Sequence, residues 1–284
     1  MMFNLIKADI FRIIRGKGIY IIFAVTLAMI VISVPMKEPG MIGSANSSSN
    51  QDIMEAFDDE DVDTNDLGAM LDAIDKKKTP EQKKQFTLKF IGTNMNLYYM
   101  MIFIVFCVLV ADFSNHTVKN TLSSVFTKKQ YYFSKYAMIL GLVLTLVFFN
   151  TIVCYIINMA VNGSDYSKSL GTLLAANIRQ LPVMLGLVGL LNMLGYVLKK
   201  PVAYNSVTIA GVLMFQLVLS LAYQVTELSC INTFLTKYEA QGALFKLAVD
   251  PEPCHTAVCC VIGLTVFAVS TIVGYISFQK SEIE

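Results

Sequence analysis

The chain has 284 residues, 55% of them hydrophobic and only 15% charged, with a mean hydropathy of +0.58. A water-soluble domain of this length is far more polar, and runs of roughly 17–25 apolar residues are long enough to cross a hydrocarbon core as helices. A formal net charge of +1 supplies no cationic excess for nucleic acid.

Residues 1–18 predict an amphipathic helix at the membrane surface. Phe3, Ile6, Ile10, Ile13 and Ile14 form its apolar side, and Lys7, Arg12 and Arg15 lie among the polar positions. Residues 19–36 are the first span. Basic residues before an apolar run also fit a signal peptide, but Ser33-Val34-Pro35-Met36 is a poor cleavage site, so the span is expected to stay uncleaved. Residues 37–94 form a large polar loop with twelve acids and seven lysines. Its DDEDVDTND run invites a calcium reading. A twelve-residue calcium loop from Asp59 places Asp61 and Asp63 well, but has Thr64 where Gly is needed and Met70 where Glu is needed. A solvated acidic segment is the better reading.

The second span covers 95–111 and is followed by a polar, basic loop, 112–135. Within that loop Val118, Leu122, Val125 and Phe126 recur at helical spacing, which predicts a short amphipathic helix. It rests on the lipid surface or docks a soluble partner by inserting those side chains in a groove. Further spans follow at 136–161, 178–198, 201–224 and 257–278, with a tail at 279–284. Gly186, Gly189 and Gly195 allow close packing of the fourth. The loop 225–256 carries Ile231, Phe234, Leu235 and Tyr238 at helical spacing, consistent with a re-entrant helix. Six spans in all define an all-α polytopic membrane protein. Helices are expected because lipid offers the backbone no partners, and the alternating pattern of a barrel is absent. Basic residues prevail in 1–18, in 112–135 and at Lys199-Lys200, which puts these segments and both termini in the cytoplasm.

No G-x-x-x-x-G-K-[ST], H-E-x-x-H or G-x-S-x-G run occurs, so P-loop ATP binding, zinc hydrolysis and serine hydrolysis have no sequence basis. The two histidines, His116 and His255, fall on opposite sides and read as solvated loop residues. No metal site is expected. Among six cysteines, Cys107, Cys154, Cys259 and Cys260 read as small apolar residues, while Cys230 and Cys254 share an outer loop and are candidates for a disulfide. The spans hold no ionisable residue away from their ends, which argues against a proton-coupled carrier. Asn150, Asn158, Asn192 and Gln216 are candidates to line a translocation path. The plainer reading is hydrogen bonding between helices.

Asp112-Phe113, then Thr117-Val118-Lys119-Asn120-Thr121-Leu122-Ser123-Ser124, then Tyr131-Tyr132-Phe133-Ser134-Lys135 entering a span, form a pattern. It resembles the membrane (permease) subunit of a type-2 ATP-binding-cassette (ABC) exporter. Many relatives carry Glu where Asp112 stands, and often Gly where His116 stands. The resemblance implies a half-transporter without catalytic residues or bound cofactor. ATP and Mg would sit on a separate dimeric ABC ATPase. A second permease subunit, identical or paralogous, would complete the pathway in a bacterial plasma membrane. Asp112, Phe113, Thr117, Val118, Lys119, Asn120, Leu122, Ser123, Val125 and Phe126 would form the cytoplasmic coupling helix and its flanks. Val118→Asp or Leu122→Asp is then expected to abolish transport without removing the protein from the membrane. The substrate is a peptide or another amphipathic compound by analogy. The alternative is an accessory or sensor protein whose acidic loop binds a cationic peptide or partner. Neither reading calls for nucleic acid.

Overall fold

The computed structural model describes residues 2–34, 83–84, 88–89, 95–114, 117–124, 126–226 and 228–281, and the regular elements among them are all helical. Helix α1 (Met2–Arg15) ends at Gly16, whose extended backbone turns the chain by 65° into α2 (Lys17–Ser33). Helix α3 (Met95–Val105) passes through one π-helical turn, Phe106–Val110, into the short α4 (Ala111–Ser114). The surface helix α5 (Thr117–Ser124) follows. Helix α6 (Lys128–Asn162) opens on a capping box, in which the Thr127 hydroxyl accepts from the Gln130 amide and the Gln130 side chain accepts from the Thr127 amide. It closes at Gly163, where φ of +77° suits a residue without Cβ. A single 3₁₀ turn, Ser164–Tyr166, leads to α7 (Leu170–Leu198), capped by Ser169. Lys199, at φ 54°, and Pro201 at the start of α8 (Pro201–Thr226) make a tight reversal. Helices α9 (Ser229–Lys237), α10 (Ala240–Val249) and α11 (Pro253–Lys280) complete the order.

Three stretches, Lys128–Asn162, Ser164–Leu198 and Pro253–Lys280, are long and apolar enough to cross a membrane, and the bent α1–α2 pair makes a fourth. The chain is thus an all-helical protein with three to four helices of membrane-spanning character. The helices run past the expected spans. Residues 136–161 belong to a helix that begins at Lys128, and residues 178–198 to one that begins at Leu170. Hydropathy marks only the part of a helix that suits lipid. Polar turns beyond it continue wherever a cap and tertiary burial hold them. At 1.5 Å per residue, a 35-residue α6 runs for about 52 Å, well past a core of roughly 30 Å. The loop 225–256 holds two helices where one was expected. The second, α10, buries Ala243, Leu244, Leu247 and Ala248 against its neighbours, chiefly α7.

The tightest contact joins α7 and α11. A Cβ on Gly186 would meet the Gly263 carbonyl oxygen at 2.7 Å, and one on Gly263 would collide with the Pro182 carbonyl. A Cβ on Gly189 would likewise meet the Ser270 hydroxyl at 2.6 Å. Close backbone approach at small residues is how helices associate where lipid removes the hydrophobic incentive. Gly195, expected to serve the same end, packs instead on Leu109 of the π turn.

Candidate functional site: a buried charge cluster behind a surface helix

Four charged side chains from three separate segments converge at the end of the bundle that carries α5. Lys135, in the third turn of α6, donates to Asp9 Oδ1 of α1 at 2.7 Å and lies 2.6 Å from Asp112 Oδ2 of α4. Arg12, one turn beyond Asp9, pairs with Asp112 Oδ1 and lies 3.5 Å from Asp9 Oδ1. The Tyr131 hydroxyl donates to Asp112 Oδ2 at 3.0 Å. Lys135 is 1% exposed, Asp112 3% and Asp9 5%. A buried ion is tolerated only when paired and hydrogen-bonded. Two acids and two bases make this set formally neutral, which meets the pairing half of that condition, while Asp9 Oδ2 and Arg12 Nη2 have no hydrogen-bond partner among the described residues.

Local sequence pattern carries little of this chemistry. Lys135 was expected at the polar entry of a span. It lies instead inside the helical bundle, because α6 starts two turns earlier. Asp112 was grouped with the coupling segment, and its carboxylate points inward to Arg12 and Lys135. Arg12 reads in the sequence as a polar position of a surface helix, and neither it nor Asp9 carries a site role there. Asp9 is the one acid among the four bases of residues 1–18, and that is the only local signal it carries.

Aromatic rings enclose the cluster. Tyr131, Tyr132 and Tyr196 are fully buried and pack with Phe113 and Phe278 at centroid distances between 4.7 and 6.5 Å. The Tyr132 hydroxyl donates to the Thr271 carbonyl at 2.9 Å. Lys128 Nζ donates to the carbonyls of Gln279 and Ser281, capping the end of α11. The start of α6 and the end of α11 are therefore fastened together.

Helix α5 is seated on this assembly by its apolar side. Val118 is 1% exposed, and Leu122 and Phe126 pack half-buried against the same core. Thr117 is half-buried and Lys119 faces outward, exposed. The side chains of Asn120 and Ser123, and residues His116 and Val125, lie outside the described set. This corrects one expectation. The apolar side chains of α5 do not project for insertion into a partner's groove; the chain's own bundle covers them.

The candidate path residues are interior too. Asn158 donates to the Tyr166 carbonyl and to Ser167 Oγ at 3.3 and 2.6 Å, holding the 3₁₀ turn to α6. Asn177 donates to Thr151 Oγ1 at 2.6 Å, linking α7 to α6. Asn150 is 6% exposed and Asn192 fully buried. The Gln216 side chain lies outside the described set.

At the opposite end, Glu239 caps α10 by accepting from the amides of Gln241 and Gly242. Burial holds its carboxyl above the usual range despite those donors. His255, expected to be solvated, is 5% exposed in the first turn of α11, with Nε2 3.4 Å from Cys259 Sγ. Cys230 and Cys254 are both exposed free thiols. Among the described residues no three His, Cys, Asp or Glu side chains are grouped to hold a metal ion.

Compared with known proteins, the chain matches no family model, and no curated protein or solved structure is significantly similar to it.

Proposed function

We propose that the chain is the membrane subunit of an ABC exporter of the second type, with six spans and cytoplasmic termini. A dimeric ATPase would bind beneath it, and a second permease subunit would complete the pathway in a bacterial plasma membrane. The observation that carries this reading is the seating of α5. Its apolar side is locked on the bundle, its exposed Lys119 faces away, and directly behind it the ion cluster ties α1, α4 and α6 into one unit. A push on α5 would be passed on to three elements together instead of being absorbed by a loose loop. ATP and Mg belong to the partner in this scheme. The chain's own residues transmit motion, and the substrate class stays that of peptides or other amphipathic compounds.

The test is a mild-detergent pull-down of the tagged chain from its own membranes, with mass spectrometry of what co-elutes. A stoichiometric soluble ATPase is expected, with recovery falling at least tenfold in Lys119→Glu while the chain's amount in the membrane is unchanged. Val118→Asp is the wrong probe, since that side chain is buried and its replacement reads folding instead of docking. Recovery of the chain with no ATPase would overturn the proposal. Capture of an outer ligand instead would make it an accessory or sensor protein.

A further inference from the structure

A hollow of about 170 Å³ lies between α7, the α9–α10 pair and α11, at the end of the bundle opposite the ion cluster. Its origin is steric. The Gly186–Gly263 contact draws α7 and α11 together, while Ala240 and Ala243 are too small to fill the space that α10 leaves beside them. Leu187, Leu190, Tyr238, Ala243, Cys259 and Ile262 are among its walls. Apart from Tyr238, Cys259 is the polar feature of this lining, and its thiol is already engaged with His255 Nε2 at 3.4 Å. Among the described residues, no charged side chain lines the hollow. Its edge includes Leu190 and Ile262, which are 39% and 45% exposed and belong to two of the stretches able to cross a membrane. The entrance therefore faces lipid, which excludes polar ligands arriving from water.

We infer that this hollow binds the hydrocarbon tail of an amphiphile that enters from within the bilayer. An apolar cavity of roughly 150 Å³ holds a benzene ring, so this one takes about six carbons of a chain. The polar head stays outside, near the Lys246–Glu252 pair, whose atoms are 2.9 Å apart. Binding requires only that α7 and α11 meet lipid, and it holds whether or not an ATPase drives the chain. Cys259, 3% exposed at the wall of the hollow, is a built-in reporter, because a tail lying in the hollow bars a maleimide from reaching its thiol through that space.

The experiment measures the rate of Cys259 modification by N-phenylmaleimide, read by peptide mass spectrometry, on the full chain in nanodiscs. Discs of branched diphytanoyl lipid are compared with discs of straight-chain palmitoyl-oleoyl lipid, and with branched discs given dodecylphosphocholine. Protection of at least fivefold in straight-chain discs supports the inference and assigns the occupant to bilayer lipid. Protection only after dodecylphosphocholine is added supports it with an amphiphile supplied from solution. Equal rates in all three discs overturn it, as does equally fast labelling by a permanently charged thiosulfonate, which would mean a water-filled cleft. Ala243→Phe, which fills the hollow, is expected to slow labelling at least tenfold and abolish the dependence on lipid. The rates on the unaltered chain decide the matter should that variant fail to fold.

Discussion

Lys135 contacts two carboxylates that come from distant parts of the chain, Asp9 and Asp112. Removing one partner of a buried ion set leaves an uncompensated charge, at a cost of about 3–5 kcal/mol. Lys135→Met is accordingly expected to lower the unfolding free energy by that amount in detergent. The double variant Asp9→Leu, Lys135→Met, which removes one counter-charge as well and leaves Arg12 paired with Asp112, should recover a large part of it. Thermal unfolding followed by circular dichroism checks both. A loss below about 1 kcal/mol in Lys135→Met would mean that water reaches the cluster. At this scale the sequence was only partly legible. It marked Asp112 and Lys135 as members of one pattern, but nothing local links residue 9 to residue 135.

At the scale of elements, the helices themselves were well marked. The spacing of Val118 and Leu122 located α5, and the glycines of α7 announced a close neighbour. Which helix that neighbour is could not be read, since the stripe of Gly263, Ser270 and Gly274 marks a packing face and not the identity of its partner. The contact makes a sharp prediction. In Gly263→Ala the new Cβ meets backbone, the Pro182 carbonyl and the Val183 nitrogen, and neither can swing aside as a flexible side chain would. Overpacking of this kind costs about 1–3 kcal/mol. The expected drop in melting temperature is about 2–4 °C for each kcal/mol lost, measured on the purified protein. Gly211→Ala, with no atom within 4 Å of the added carbon, serves as the control and should not lower the melting temperature, Ala being the better helix former.

At the scale of the whole molecule, the proposed orientation rests on where basic residues gather, and two exposed thiols make it testable. Cys230 and Cys254 are free and accessible, whereas Cys154 is buried. A membrane-impermeant maleimide applied to intact cells is expected to label Cys230 and Cys254 and to spare Cys154. Labelling of the pair only in inverted vesicles would reverse the topology and, with it, the cytoplasmic placement of α5. Composition together with long unalternating apolar runs pointed to helices of membrane-spanning character, because a bilayer leaves the backbone only helices and closed barrels, and a barrel needs alternation. The sequence also located most helices, since their periodicity and caps are local properties. The ion cluster, the covered face of α5, the α7–α11 contact and the hollow beside Cys259 were decided only by the tertiary structure. Each depends on residues far apart in the chain meeting at ångström distances, and local spacing carries no record of that.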